Sequence, residues 1–260
     1  MSRGGCVGTM KRGGSGGAKS GKGSQGRGDK GTRLKTARGR GESSTRWLRR
    51  QLADPYVAEA RRQGYRSRSA FKLMELDDRF GFLKSGARII DLGAAPGGWS
   101  QVAIERTGQG GHVVAIDLQT MDPLDGAIVL HGDMESVDSI ASLVEAIDGP
   151  ADVVLSDMAA PATGHAATDH VRVVALAESA AELAIEILAP GGTFVAKVFQ
   201  GGTERELLAR LKRDFTSVRH AKPPASRNAS AEVYVVALGF RGARDDDNAD
   251  PRDDERSGEP

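Results

Sequence analysis

Two charged residues stand where apolar runs end. Lys197 lies near the end of the run 193–199, among β-branched and aromatic neighbours. A lysine there is costly to bury unless paired, which marks it as a functional residue. A positioned amine can take a proton from a reacting hydroxyl. Asp157 closes a second apolar run, 152–157, and opens Met158-Ala159-Ala160-Pro161. A third run, Ile89-Ile90-Asp91-Leu92, passes into Gly93-Ala94-Ala95-Pro96-Gly97-Gly98-Trp99-Ser100-Gln101. A strand that stops at a small-residue turn and feeds a helix points backbone N–H groups into an open crevice. Only small residues let a ligand approach that backbone closely. Further along, Asp117 sits near the end of an apolar run, where an acid can accept both hydroxyls of a ribose. In His131-Gly132-Asp133-Met134, Asp133 can accept from an adenine amino group, with Met134 against the ring; a plain turn aspartate fits the spacing nearly as well. The loop is neither G-x-G-x-x-G nor a P-loop ending in Gly-Lys-Ser/Thr, which argues against a nicotinamide dinucleotide.

The elements that must position these residues follow in order. Strands are expected at 87–92, 112–118, 127–130, 152–157, 193–199, 217–221 and 232–240. Helices are expected at 47–62 (interrupted near Pro55), 69–82, 99–106, 136–147, 169–188 and 204–215, with a turn at Pro190-Gly191-Gly192. The last two strands have only a loop between them, which implies an antiparallel hairpin at the end of an otherwise parallel sheet. Lys72 falls within the apolar helix 69–82, where a lysine usually snorkels to the surface. The helix 47–62 interleaves Trp47 and Tyr56 with Arg46, Arg49, Arg50, Arg61 and Arg62, a pattern suited to phosphate contact and stacking. The aromatics can equally dock the helix on the domain.

The 260 residues carry a formal net charge of +1 that hides opposite ends. Residues 1–43 are rich in Gly, Lys, Arg and Ser and should be disordered, with a polyanion as the expected contact. Residues 241–260 form an acidic tail, leaving 44–240 as the folded domain. Cys6 is the only cysteine, so one chain can form no disulfide framework and no cysteine-ligated metal site. No metal-ligand pattern, membrane-length apolar run or secretory signal is evident, and a cytoplasmic location is expected.

The loop Asp91–Gln101 resembles the first motif of S-adenosylmethionine-dependent methyltransferases, and the alternation resembles their variant of the doubly wound fold. The expected class is therefore α/β, Rossmann-like, with a mostly parallel seven-stranded sheet. Methylation at cytosine carbon 5 needs a nucleophilic cysteine, and Cys6 is badly placed. Amino-group methylation usually shows Asn/Asp-Pro-Pro-Tyr/Phe after the fourth strand, where this chain has Ser156-Asp157-Met158-Ala159. Those stretches resemble the FtsJ/RrmJ ribose 2′-O-methyltransferases when taken with Tyr65-Arg66-Ser67-Arg68-Ser69-Ala70-Phe71-Lys72-Leu73, Lys197-Val198-Phe199-Gln200-Gly201 and Ser226-Arg227…Ser230…Glu232-Val233-Tyr234. The resemblance covers about Asp54 to Leu238.

It implies a catalytic set of Lys72, Asp157, Lys197 and Glu232, with Lys197 as proton acceptor. It implies cofactor contacts at Gly97, Trp99, Asp117, Asp133 and Asp157, beside the loop positions Asp91, Gly93, Ala94, Pro96 and Gly98 and the ring neighbour Met134. S-adenosylmethionine is the implied cofactor. The implied partner is RNA, a uridine of 23S rRNA in the assembled large ribosomal subunit, bound by a monomer with no membrane. Methylation of tRNA or another rRNA site, or an assembly factor with a vestigial pocket, stays open. The chain departs from the family where Ala160-Pro161 replaces the usual Pro-Asn.

Overall fold

The computed structural model describes residues 54–161, 163–200 and 205–242. Residues 1–43 and 243–260 of the expected tails and the Trp47 part of the basic helix lie outside the described residues, as do Gly201 and the expected start of the helix at 204. Asp54 caps the first described helix, α1 (Pro55–Gln63), by accepting from the Tyr56 amide, and Pro55 occupies the first turn where a missing N–H costs nothing. Then come α2 (Ala70–Phe80), β1 (Arg88–Leu92), α3 (Gly98–Thr107), a 3₁₀ turn (Gly108–Gly110), β2 (His112–Asp117), β3 (Ala127–His131), α4 (Val137–Ile147) and β4 (Ala151–Ser156). The chain closes with α5 (Ala166–Ile187), β5 (Leu188–Phe199), α6 (Arg205–Asp214), β6 (Phe215–Ala221) and β7 (Glu232–Phe240). No helix among the described residues is long and apolar enough to cross a membrane.

The seven strands form one sheet in the order β3-β2-β1-β4-β5-β7-β6. β3 to β5 run parallel, and β7 inserts antiparallel between β5 and β6. The order reverses between β1 and β4, and in such sheets the crevice at the carboxyl ends of those strands receives ligand. Side chains alternate across the sheet. Ile89, Val153, Val195 and Tyr234 pack with Leu73 of α2 and Trp99 of α3. Ile90, Val154, Phe194 and Val235 pack with Leu143 of α4, Ala180 of α5 and Leu211 of α6. Burial on both faces is why these strands read as continuous apolar runs.

Three of the boundaries that differ from the sequence reading have a visible cause. The turn expected at Pro190–Gly192 is an irregularity inside β5, because β5 pairs with β4 on both sides of it: Ala151 with Leu188, then Val153 with Thr193. α5 starts earlier than expected because Asp169 lies in its first turn and accepts from the Thr163 amide and hydroxyl (2.7 Å each). β6 begins at Phe215, whose ring meets Phe240 of β7 at 5.3 Å.

Candidate functional site

The same alternation brings Asp91, Asp157, Lys197 and Tyr234 to the face covered by α2 and α3, at the carboxyl ends of β1, β4 and β5. Lys197 sits opposite Tyr234 in the β5–β7 ladder. Its Nζ donates to the Asp157 backbone oxygen (2.6 Å) and lies 3.1 Å from Asp157 Oδ1. Lys72 does not snorkel: its side chain is 11% exposed. Its Nζ meets Glu232 Oε1 at 2.7 Å, donates to the Tyr234 hydroxyl at 3.1 Å and lies 3.9 Å from Asp157 Oδ2. The four residues of the implied catalytic set thus come together from positions 72 to 232. Two ammonium and two carboxylate groups face one another there, so each buried charge has a partner.

Tyr234 completes this network, and the sequence reading passed over it. Its hydroxyl donates to Asp157 Oδ1 (2.7 Å) and lies 3.3 Å from Glu232 Oε1. Burial pushes the phenol well above its ordinary pKa, and the charges of Asp157 and Glu232 add to that, so it stays a neutral donor. Burial alone would raise Asp157, yet the charges of Lys197 and Lys72 and the Tyr234 hydrogen bond outweigh it and hold the carboxyl below its ordinary value. Spacing held the signal: Glu232 and Tyr234 are two apart on a strand and share a face.

A second network holds Glu232. Its Oε1 accepts from Ser226 Oγ (2.9 Å) in the β6–β7 loop. The neighbouring peptide is gripped on both sides, since the Ala225 amide donates to Glu75 Oε2 (2.7 Å) and the Ala225 oxygen accepts from Arg68. Arg68 and Arg227 both pair with Asp54, at 3.1 and 3.2 Å.

Beside the charged cluster lies a cavity of about 390 Å³. Gly93, Asp117, Asp133, Met134 and Asp157 line it, with Leu118, Gln119, Met158 and Pro161 among others. Asp117 reaches back to the loop: Oδ2 accepts from the Ala95 amide (2.9 Å) and Oδ1 from the Gln119 amide (2.7 Å). Asp133 Oδ1 accepts from the Glu135 amide (3.0 Å). Gly93 (φ 74°) can be no other residue without rearrangement, because an added Cβ would stand 2.5 Å from Met158 Cγ.

The remaining predicted positions lie around this cavity, not on its wall. Ala94 is buried beneath the loop, while Gly97 and Gly98 open α3. Pro96 borders an adjoining space. The Trp99 indole does not face the cavity. It is 1% exposed, donates to the Ser69 oxygen (2.8 Å) and packs on Tyr234 (5.5 Å), so only its backbone N–H remains for a ligand. Asp91 is wholly buried; Oδ2 accepts from Ser100 Oγ (2.6 Å), whereas Oδ1 has no hydrogen-bond partner. Burial, then the nearby Asp157 and Asp117 charges, raise its pKa to about 7 against the lowering effect of Ser100.

A buried acid with one oxygen left without a hydrogen bond, a close-approach glycine and an acid at the end of β2 around one switch-point cavity fit an adenosine ligand with a cationic end. Fold and site together define an S-adenosylmethionine-dependent methyltransferase. The model of the FtsJ-like methyltransferases matches residues 65–240, and the chain belongs to that family. It is 62% identical over 216 residues to the ribosomal RNA large subunit methyltransferase E of Paramagnetospirillum magneticum, covering 81% of this chain and 88% of that one. Identity to the protein of the same name from Parvibaculum lavamentivorans is 56% over 245 residues, covering 90% and 96%. Among solved structures it is similar to a Plasmodium falciparum protein provisionally assigned as a ribosomal RNA methyltransferase. There the TM-score is 0.62 and the identity 33%, covering 69% of this chain and all of that one.

Proposed function

We propose that this chain methylates a ribose 2′-hydroxyl of large-subunit ribosomal RNA, with a uridine of 23S rRNA in the assembled subunit as the acceptor. The arrangement at Lys197 carries the reading. A neutral lysine amine has two N–H donors and one lone pair. At Lys197, Asp157 offers acceptors for both donors, its backbone oxygen at 2.6 Å and Oδ1 at 3.1 Å. Once Lys197 has given up a proton, both remaining N–H groups are thus held by Asp157 and the lone pair is free for the proton of an approaching hydroxyl.

When bound, S-adenosylmethionine supplies a methyl group on a sulfonium centre. The hydroxyl proton would pass to Lys197 Nζ as the 2′-oxygen took the methyl group and the methyl–sulfur bond broke, with S-adenosylhomocysteine as the leaving group; holding the two reactants in line would supply much of the rate. Asp157 orients Lys197. Tyr234 stays protonated and fixes the Asp157 carboxylate. The Lys72–Glu232 pair holds the acceptor ribose against the cofactor side of the site. Gly93, Asp117, Asp133 and Met134 bind the adenosine portion, and Asp91 with the α3 amides of Gly98 and Trp99 binds the amino-acid portion. The relatives' name and the cluster of charged groups at one ligand cavity support this reading.

Lys197→Met, incubated with labelled S-adenosylmethionine and undermethylated large subunits, should lose methylation by 10²- to 10⁴-fold, the usual contribution of a general base, and keep its cofactor affinity. Near-normal turnover would sink the assignment, and labelling of tRNA alone would overturn the choice of substrate.

A further inference from the structure

Arg66 stands in the basic stretch Tyr65-Arg66-Ser67-Arg68, which by composition suits contact with RNA phosphate. Its surroundings give it another task. Nη1 donates to the Pro96 oxygen (3.2 Å) and the Asp122 oxygen (2.8 Å), and Nη2 donates to the Pro123 oxygen (2.6 Å). Its own amide donates to Gln101 Oε1 (2.7 Å) on α3. The guanidinium therefore bridges two segments that border the cofactor cavity: the loop after β1 and the stretch 118–126 after β2.

That second stretch contains neither helix nor strand. It follows directly on Asp117 and carries Gln119, and both of these residues line the cavity. Its middle is fastened to the body by Arg66 through Asp122 and Pro123. Packing at the same place is close: a Cβ added at Gly97 would lie 3.0 Å from Arg66 Nη1 and 3.2 Å from Met121 Sδ. Between the two segments lies a space of about 400 Å³, bordered by Arg66, Pro96 and Met121, which shares Ala95 and Gln119 with the cofactor cavity. With that space alongside, the stretch after β2 has room to shift once the fork is lost.

We propose that Arg66 is a positioning residue for the cofactor, clamping the stretch after β2 so that Asp117 and Gln119 hold their places, and that it is not an RNA phosphate contact. The proposal rests on the assignment of the cavity to S-adenosylmethionine. A planar fork reaches three carbonyls at once, and a lysine cannot reproduce that geometry. Loss of these bonds should therefore appear in both conservative and non-conservative variants.

The test titrates S-adenosylhomocysteine into the full chain carrying Arg66→Gln, Arg66→Lys or Asp117→Asn. Both Arg66 variants should bind about tenfold more weakly. Their KM for S-adenosylmethionine should rise, with kcat at saturating cofactor within about twofold of the parent. The slope of large-subunit affinity against salt should not change. Arg66→Lys serves if Arg66→Gln fails to fold. Unchanged binding in Arg66→Lys, or a salt slope reduced by about one phosphate contact, overturns the proposal. Unchanged binding in Asp117→Asn overturns the cavity assignment beneath it.

Discussion

Replacing Asp91 by Asn should stabilise the free protein by an amount that grows from about pH 4 and levels off above about pH 7. Asp91 is fully buried, and its carboxyl is raised from 3.8 to about 7. A raised acid is protonated in the folded chain and ionised in the unfolded chain between those two values. The native state then binds the extra proton, so stability falls as pH rises through that window. The difference corresponds to at most about 4 kcal/mol, fully expressed above pH ~7 and absent below pH ~4. Asparagine removes the charge and keeps an oxygen for the Ser100 hydroxyl. Urea unfolding of parent and variant should therefore show stability curves that nearly coincide at pH 4, differ by about 1.5 kcal/mol at pH 5 and separate by about 4 kcal/mol at pH 8, the variant above. Asp157, lowered in both proteins, contributes stability lost only at acid pH and cancels from the comparison. Calorimetry should also show proton release on cofactor binding near pH 7 by the parent, and less by the variant. A gap between the two proteins that is constant from pH 5 to 8.5 would refute the reasoning.

Two further outcomes can be checked. Tyr234→Phe removes the donor to Asp157 Oδ1 and a partner of Lys72. It should lower kcat roughly tenfold, with cofactor affinity within about twofold, in a single-turnover assay; equal loss in both would place Tyr234 in the cofactor site instead. Gly93→Ala sets a Cβ 2.5 Å from Met158 Cγ at a positive φ, and should lower stability by about 1–3 kcal/mol and weaken cofactor binding, measured by denaturant unfolding and calorimetry.

The sheet and the cofactor side were legible because their signals are local. Asp91, Asp117 and Asp157 each end an apolar run, and the glycine loop follows directly on the first of them. The acceptor side depends on register. Lys72 reads as a surface lysine until Glu232, distant in the chain, is placed 2.7 Å from it. Tyr234, flanked by valines in a core strand, reads as packing until the ladder sets it opposite Lys197. At Trp99 the two parts of the residue separate: the indole serves the core, and the backbone N–H is what remains for the ligand contact that its place in the loop motif suggested. The strand expected at 193–199 began too late because Pro190-Gly191-Gly192 carries turn chemistry, and pairing with β4 resumes on its far side.

The two halves of this site are completed at different points along the chain. The cavity proposed for the methyl donor is lined by residues between Gly93 and Leu176. The charged cluster proposed for the acceptor needs Lys72 from before that stretch and Glu232 from after it, and the grip of Arg68 and Glu75 on the Ala225 peptide fastens those ends together. The strand that closes the sheet is therefore also the one that completes the charged cluster: β7 brings Glu232 to Lys72 and Tyr234 to Asp157, so the last hairpin serves core and chemistry together.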